Sequence, residues 1–105
     1  MKKCLFLIPT AYNDGKPVSP EIIDQILDQL FAKFGPYSID GTTEGLWQLE
    51  DGKIVKDQSL KIWIVLSEDK VPRLEKTIAN FAKILKQEAI CLVVTDCDMK
   101  LIEPE

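Results

Sequence analysis

The chain has no histidine and a single arginine, Arg73. Without imidazole there is no Ser-His or Cys-His nucleophile pair, no histidine-ligated metal, and no side chain whose ordinary pKa lies near neutrality. One arginine leaves little for bidentate clamping of phosphate or carboxylate groups. Cysteine is scarce as well. Cys4, Cys91 and Cys97 are odd in number and form no CxxC pair, so they read as small apolar residues in a reducing compartment rather than as a disulfide framework. Long hydrophobic runs are also missing. The longest, Cys4–Ile8, Ile62–Leu66 and Ala89–Val94, fall far short of the ~18 residues that suggest a membrane-spanning helix. The start, Met1-Lys2-Lys3 followed by apolar residues, resembles the opening of an export signal, but Pro9 ends the stretch, so a strand and a cytoplasmic location are expected. A net charge of -4 argues against gripping a phosphate backbone, and no nucleic-acid or membrane partner is expected.

What is present is the composition of an ordinary globular chain, 46% apolar and 29% charged over 105 residues, which sets an expectation of one domain spanning 1–105. Lys3–Pro9 lacks helical periodicity and reads as a strand buried on both faces. After a loop carrying the Asn13-Asp14-Gly15 turn signal, Ser19 is a favourable N-cap and Pro20 a favourable first helical residue. Ile22, Ile23, Ile26, Leu27, Leu30, Phe31 and Phe34 then recur at helical spacing until Gly35-Pro36. The Asp51-Gly52 dipeptide predicts a tight hairpin between a strand near Glu44–Leu49 and another whose core is Leu60–Leu66. A second helix is expected from about Pro72 to Lys86 on the stripe Leu74, Ile78, Phe81, Ala82 and Leu85, and a last strand over Ala89–Thr95. Met99–Ile102 is a short apolar piece suited to an extra strand or to packing against a neighbour.

The order β-α-β-β-α-β predicts an α+β, ferredoxin-like sandwich, a four-stranded antiparallel sheet with two helices on one face. The other face would carry Trp63 and Val65 uncovered, and an interface in a homo-oligomer, dimer or trimer, is expected there. The segment Asp40–Gly45 reads as a strand start with a bulge. It also gathers uncommitted hydroxyls and carboxylates. Together with the first loop it suggests a ligand site of Tyr12, Asn13, Asp14, Thr42, Thr43, Glu44 and Trp47, set between subunits. Lys53, Lys56 and Lys61 read as a solvated strand face. Asp96-Cys97-Asp98 is an incomplete metal set, and Gly41-Thr42-Thr43-Glu44-Gly45 lacks the lysine of a phosphate loop, so no metal or cofactor is expected.

Several steps resemble families already known. Leu5-Phe6, the run Asp14-Gly15-Lys16-Pro17-Val18-Ser19, Gly45-Leu46-Trp47, Gly52-Lys53-Ile54 with Asp57, and Lys86-Gln87-Glu88-Ala89 resemble a family of small bacterial proteins of unknown function. Trp47, Gly52-Lys53-Ile54, Asp57 and Ile62-Trp63-Ile64 resemble, more remotely, the central hairpin of the CutA divalent-cation-tolerance and PII-like proteins. That resemblance implies a ferredoxin-like architecture and trimeric assembly, but no metal site, because the matching cysteine and histidine positions are missing. The function expected is a non-enzymatic oligomeric module binding a small molecule or a protein; the alternative is a small ferredoxin-like enzyme, of monooxygenase or isomerase type, using a pocket carboxylate or Tyr12.

Overall fold

In the computed structural model, which describes residues 1–105, the first strand is the spine of the sheet. β1 (Lys2–Pro9) pairs antiparallel with β3 (Ile54–Leu66) on one side and with β4 (Leu92–Asp96) on the other, and β2 (Ser38–Gln48) forms the far edge, giving the order β2-β3-β1-β4. Helix α1 (Pro20–Phe34) links β1 to β2. Helix α2 (Val71–Ile84), introduced by a single 3-10 turn over Glu68–Lys70, links β3 to β4. This is the ferredoxin-like arrangement read from the sequence.

Strand alternation decides what the helices cover. Cys4, Phe6 and Ile8 of β1 and Ile62, Ile64 and Leu66 of β3 are buried against Ile26 and Leu30 of α1 and Leu74, Ile78, Phe81 and Leu85 at α2. Burial pushes the Cys4 thiol pKa up, consistent with an inert core residue. β1 is therefore not equally buried on both faces, since Lys3, Leu5 and Leu7 stay half-covered. In α1 the Ser19 hydroxyl accepts a hydrogen bond from the Ile22 N–H at 3.4 Å, and Gly35 (φ +80°) closes the helix by donating to the Phe31 carbonyl. Phe31 lies outside the buried stripe in which its spacing placed it and is 60% exposed. Helix α2 ends two residues early. Leu85 donates to Phe81, and Gln87 reaches back to Ala82 around Lys86, which adopts φ +55° where a glycine is usual.

The edge strand β2 and its neighbour β3 are longer than the sequence indicates. β2 and β3 run on as a hairpin arm to a loop at Glu50–Gly52, closed by the Leu49 N–H donating to the Lys53 carbonyl at 2.8 Å. The molecule is accordingly elongated, 53 × 26 × 22 Å. The expected bulge is present: the β2–β3 register shifts between Ile39 and Thr42, with Gly41 at φ +78°. The C-terminal tail forms no strand. It turns after Asp96, whose carboxylate pairs with Lys2, and Met99 and Leu101 border the same groove as Trp63 and Val65. The ammonium of Lys3 lies 4.9 Å from the Trp63 ring centroid. The face expected to be bare is therefore partly covered by the chain itself, and Trp63 is half-buried.

Candidate functional site

The bulge at Asp40-Gly41 sets which side chains of β2 look away from the helices. Thr43 stands opposite Ser59, Gly45 opposite Asp57, and Trp47 opposite Val55. By alternation from the buried Ile62, all six positions lie on the helix-free face. Leu7 and Pro9 of β1 continue that face, Pro9 as the register partner of Ser59. The third wall comes from residues 87–91. The left-handed Lys86 turns the chain across the end of the sheet, the Leu7 N–H donates to the Cys91 carbonyl at 3.4 Å, and the Glu88 carboxylate accepts from the Glu50 N–H at 3.3 Å. Arm, sheet and crossing segment enclose a cleft of about 190 Å3 lined by Leu7, Pro9, Trp47, Ile90 and Cys91 around Thr43, Asp57 and Ser59.

Three polar side chains in this cleft, Thr43, Asp57 and Ser59, lack partners in the chain. Ser59 is 4% exposed as a residue, and its hydroxyl, which keeps some accessible surface, makes no hydrogen bond within the protein. The other buried polar side chain, Thr77, behaves as expected and donates to the Arg73 carbonyl at 2.9 Å. Asp57 takes part in none of the four ion pairs, which are Lys2 with Glu68 and with Asp96, Lys56 with Glu44, and Lys61 with Asp40. Desolvation by its surroundings raises the Asp57 carboxyl above the usual aspartate range. A larger groove of about 450 Å3 between α2 and residues 87–92 carries its charges, Glu75, Lys83 and Glu88, on exposed side chains. No unpaired buried group faces it.

The structure distributes the residues singled out from sequence over several places. Thr43 and Trp47 border the cleft. Thr42 and Glu44 belong to the same strand but to its opposite face, where the Glu44 carboxylate accepts from Gln58 Nε2 at 3.2 Å and pairs with Lys56 at 3.7 Å. Tyr12 packs against the core beneath the Lys86 ammonium, 5.5 Å from its ring centroid, and Asp14 caps its own turn by accepting from the Lys16 N–H. Tyr12, Asn13 and Asp14 do not line the cleft. Trp63 and Val65 occupy the same sheet face nearer the C-terminal tail. Lys56 and Lys61 fall on opposite faces of β3 rather than on a common one. Asp57 entered the sequence reading only as part of a resemblance, and Ser59 was missed. The available signal was alternation: Asp57 and Ser59 share the parity of Trp63 and Val65.

Comparison with solved structures finds this architecture elsewhere. A phage SAM lyase in complex with S-methyl-5'-thioadenosine superposes with a TM-score of 0.71 over 90% of this chain and 80% of that one, at 15% identity. The PII-like protein CutA from Nostoc sp. PCC 7120 gives 0.64 over 93% and 82%, at 17% identity. CutA1 from Pyrococcus horikoshii gives 0.64 over 96% and 87%, at 14% identity. The chain shares its fold with CutA. At these identities the likeness is one of fold alone. No family model matches the chain, the small bacterial proteins of unknown function included, and comparison with curated proteins finds no match.

Proposed function

We propose that residues 1–105 act as one ferredoxin-like unit, a cytoplasmic homo-oligomeric module that binds a small molecule in the cleft between Thr43, Trp47, Asp57 and Ser59. The observation that carries the reading is the meeting of Thr43, Asp57 and Ser59, three polar side chains without partners in the chain, at the wall of one cavity. A ligand hydrogen bond to such a group contributes about 0.5–1.5 kcal/mol, and more where the group is charged. Assembly has its own support: Leu46 and Ile54, at 76% and 64% exposure, sit side by side on an arm that nothing in the chain covers. A two-stranded arm of this kind is marginal alone in water.

A small enzyme is the second reading, favoured by the raised Asp57 carboxyl, which suits proton transfer inside a cleft. Glu44 is less suited to that role, being exposed and ion-paired on the opposite face. That a solved neighbour is a lyase holding S-methyl-5'-thioadenosine adds nucleosides and thioethers to the compounds worth testing.

The test is a thermal-shift screen over nucleosides, S-methyl-5'-thioadenosine, amino acids, amines and organic acids, followed by amide NMR of each hit. A ligand at one hundred times its Kd stabilises the native state by about 2.7 kcal/mol. The binding reading expects a rise in Tm with shifts at Thr43, Asp57 and Ser59. Absence of both for every compound class overturns it, and turnover of a hit that stops in Asp57→Asn replaces it with the enzymatic reading.

A further inference from the structure

Resting on that cleft as the binding site, we infer that it takes a protonated primary amine, its ammonium held by the Asp57 carboxylate and the Ser59 and Thr43 hydroxyls and its apolar stem lying against Leu7, Pro9 and Trp47. An alkylammonium head carries a positive charge and three N–H donors. The cleft offers one anionic acceptor and two hydroxyl acceptors, none engaged within the protein. Thr43 and Ser59 are direct register partners, so their β-carbons lie about 5 Å apart, and Asp57 is the next residue along the same face. Opposite Asp57 stands Gly45, where an added Cβ would meet nothing within 4 Å. Gly45 has no positive φ, so the backbone does not require glycine there, and its missing side chain leaves open the space beside the carboxylate.

The alternatives each leave a group unmatched. The lining contains no lysine or arginine, so an anion meets only the Asp57 charge. A neutral alcohol pairs with Ser59 but leaves the desolvated carboxylate without a counter-charge. A quaternary ammonium supplies the charge and can lie against the Trp47 ring, yet it has no N–H for Ser59 or Thr43. The volume of about 190 Å3 suits a stem of a few carbons rather than a larger molecule.

The experiment is an amide NMR titration of the whole chain at pH 7 with n-butylammonium, compared with 1-butanol, butyrate and butyltrimethylammonium. Saturable shifts at Thr43, Asp57, Ser59 and the Trp47 indole are expected for n-butylammonium, with Kd at least about tenfold lower than for the other three. Asp57→Asn and Ser59→Ala should each weaken it by about tenfold or more, and Gly45→Val, which fills the space beside the carboxylate without removing any polar group, should abolish it. Binding of 1-butanol or butyltrimethylammonium as tight as that of n-butylammonium overturns the assignment, and so does a preference that survives Asp57→Asn in a folded protein. If other compounds move the same resonances while n-butylammonium does not, the cleft stands and the ammonium falls. If no compound moves them, both fall.

Discussion

The exposed arm gives the sharpest test of assembly. Leu46 and Lys56 are register partners, as are Gln48 and Ile54, which makes Leu46 and Ile54 diagonal neighbours on one face of the arm. At 76% and 64% exposure they contribute little to the monomer. Burial of such a side chain is worth about 1.5–3 kcal/mol when complete, so covering what remains exposed returns roughly 1–2 kcal/mol each. Replacing them together, Leu46→Glu with Ile54→Lys, removes that apolar patch while conserving net charge and allowing a cross-strand ion pair within the arm. The loss of roughly 2–4 kcal/mol per copy corresponds to a Kd about 30-fold or more weaker. Sedimentation equilibrium at micromolar concentration should find the parent chain assembled and the double variant largely monomeric, with unchanged far-UV circular dichroism. A monomeric parent refutes the argument, as does a double variant whose assembly is undiminished. This pair is a cleaner probe than Trp63→Glu, because Trp63 also packs under Lys3 and beside the tail.

Asp57→Asn should raise stability at pH 7, since the folded state holds the Asp57 proton above the ordinary aspartate pKa of 3.8; that contribution is full below the ordinary pKa and is lost as pH rises through the raised one. The groups facing Asp57 are Gly45 on β2, Ser59 and Val55 on β3, and Cys91 across the cleft, and the lining holds no lysine, arginine or second carboxylate. Urea titrations should show the advantage of the variant shrinking toward pH 3, and an advantage that does not change with pH would contradict the assignment. Lys86→Gly should stabilise the chain by about 0.5–1 kcal/mol, because left-handed backbone is unfavourable for a side-chain-bearing residue, and the lost Lys86–Tyr12 stacking offsets only part of the gain; an unchanged urea midpoint would count against it. Removing residues 97–105 in a Trp47→Phe background should shift Trp63 fluorescence to longer wavelength while thermal unfolding stays cooperative, whereas an unshifted spectrum would mean that the tail does not shield the ring.

The architecture was legible because its signals are local: the Ser19-Pro20 start, the Gly35-Pro36 stop, and the alternation of Leu60–Leu66 each depend on neighbours in the chain. The extent of β2 and β3 was less legible. Lys56, Asp57 and Gln58 are poor strand formers, and only pairing with Glu44–Leu46 holds them extended. Likewise Ala89–Cys91, apolar enough to read as strand, is used to cross the sheet end before β4 begins at Leu92.

The cleft was hidden for a different reason, one of phase. Ile39 lies opposite Ile62 and so on the helix face, and unbroken alternation from it would send Thr43, Gly45 and Trp47 toward the helices as well. The extra residue at Asp40-Gly41 reverses the parity, placing Thr43 beside Ser59 and leaving Thr42 and Glu44 behind. A reading of Asp40–Gly45 as a bulge located the device but not its consequence, which depends on which β3 residue each β2 residue faces. The same parity sets both faces of the arm. Once the bulge has turned Thr43 and Trp47 toward the cleft, Leu46 must project from the other side, where no helix reaches it. One irregularity in β2 thus supplies the hydroxyl of the candidate site and the apolar face available to a second copy.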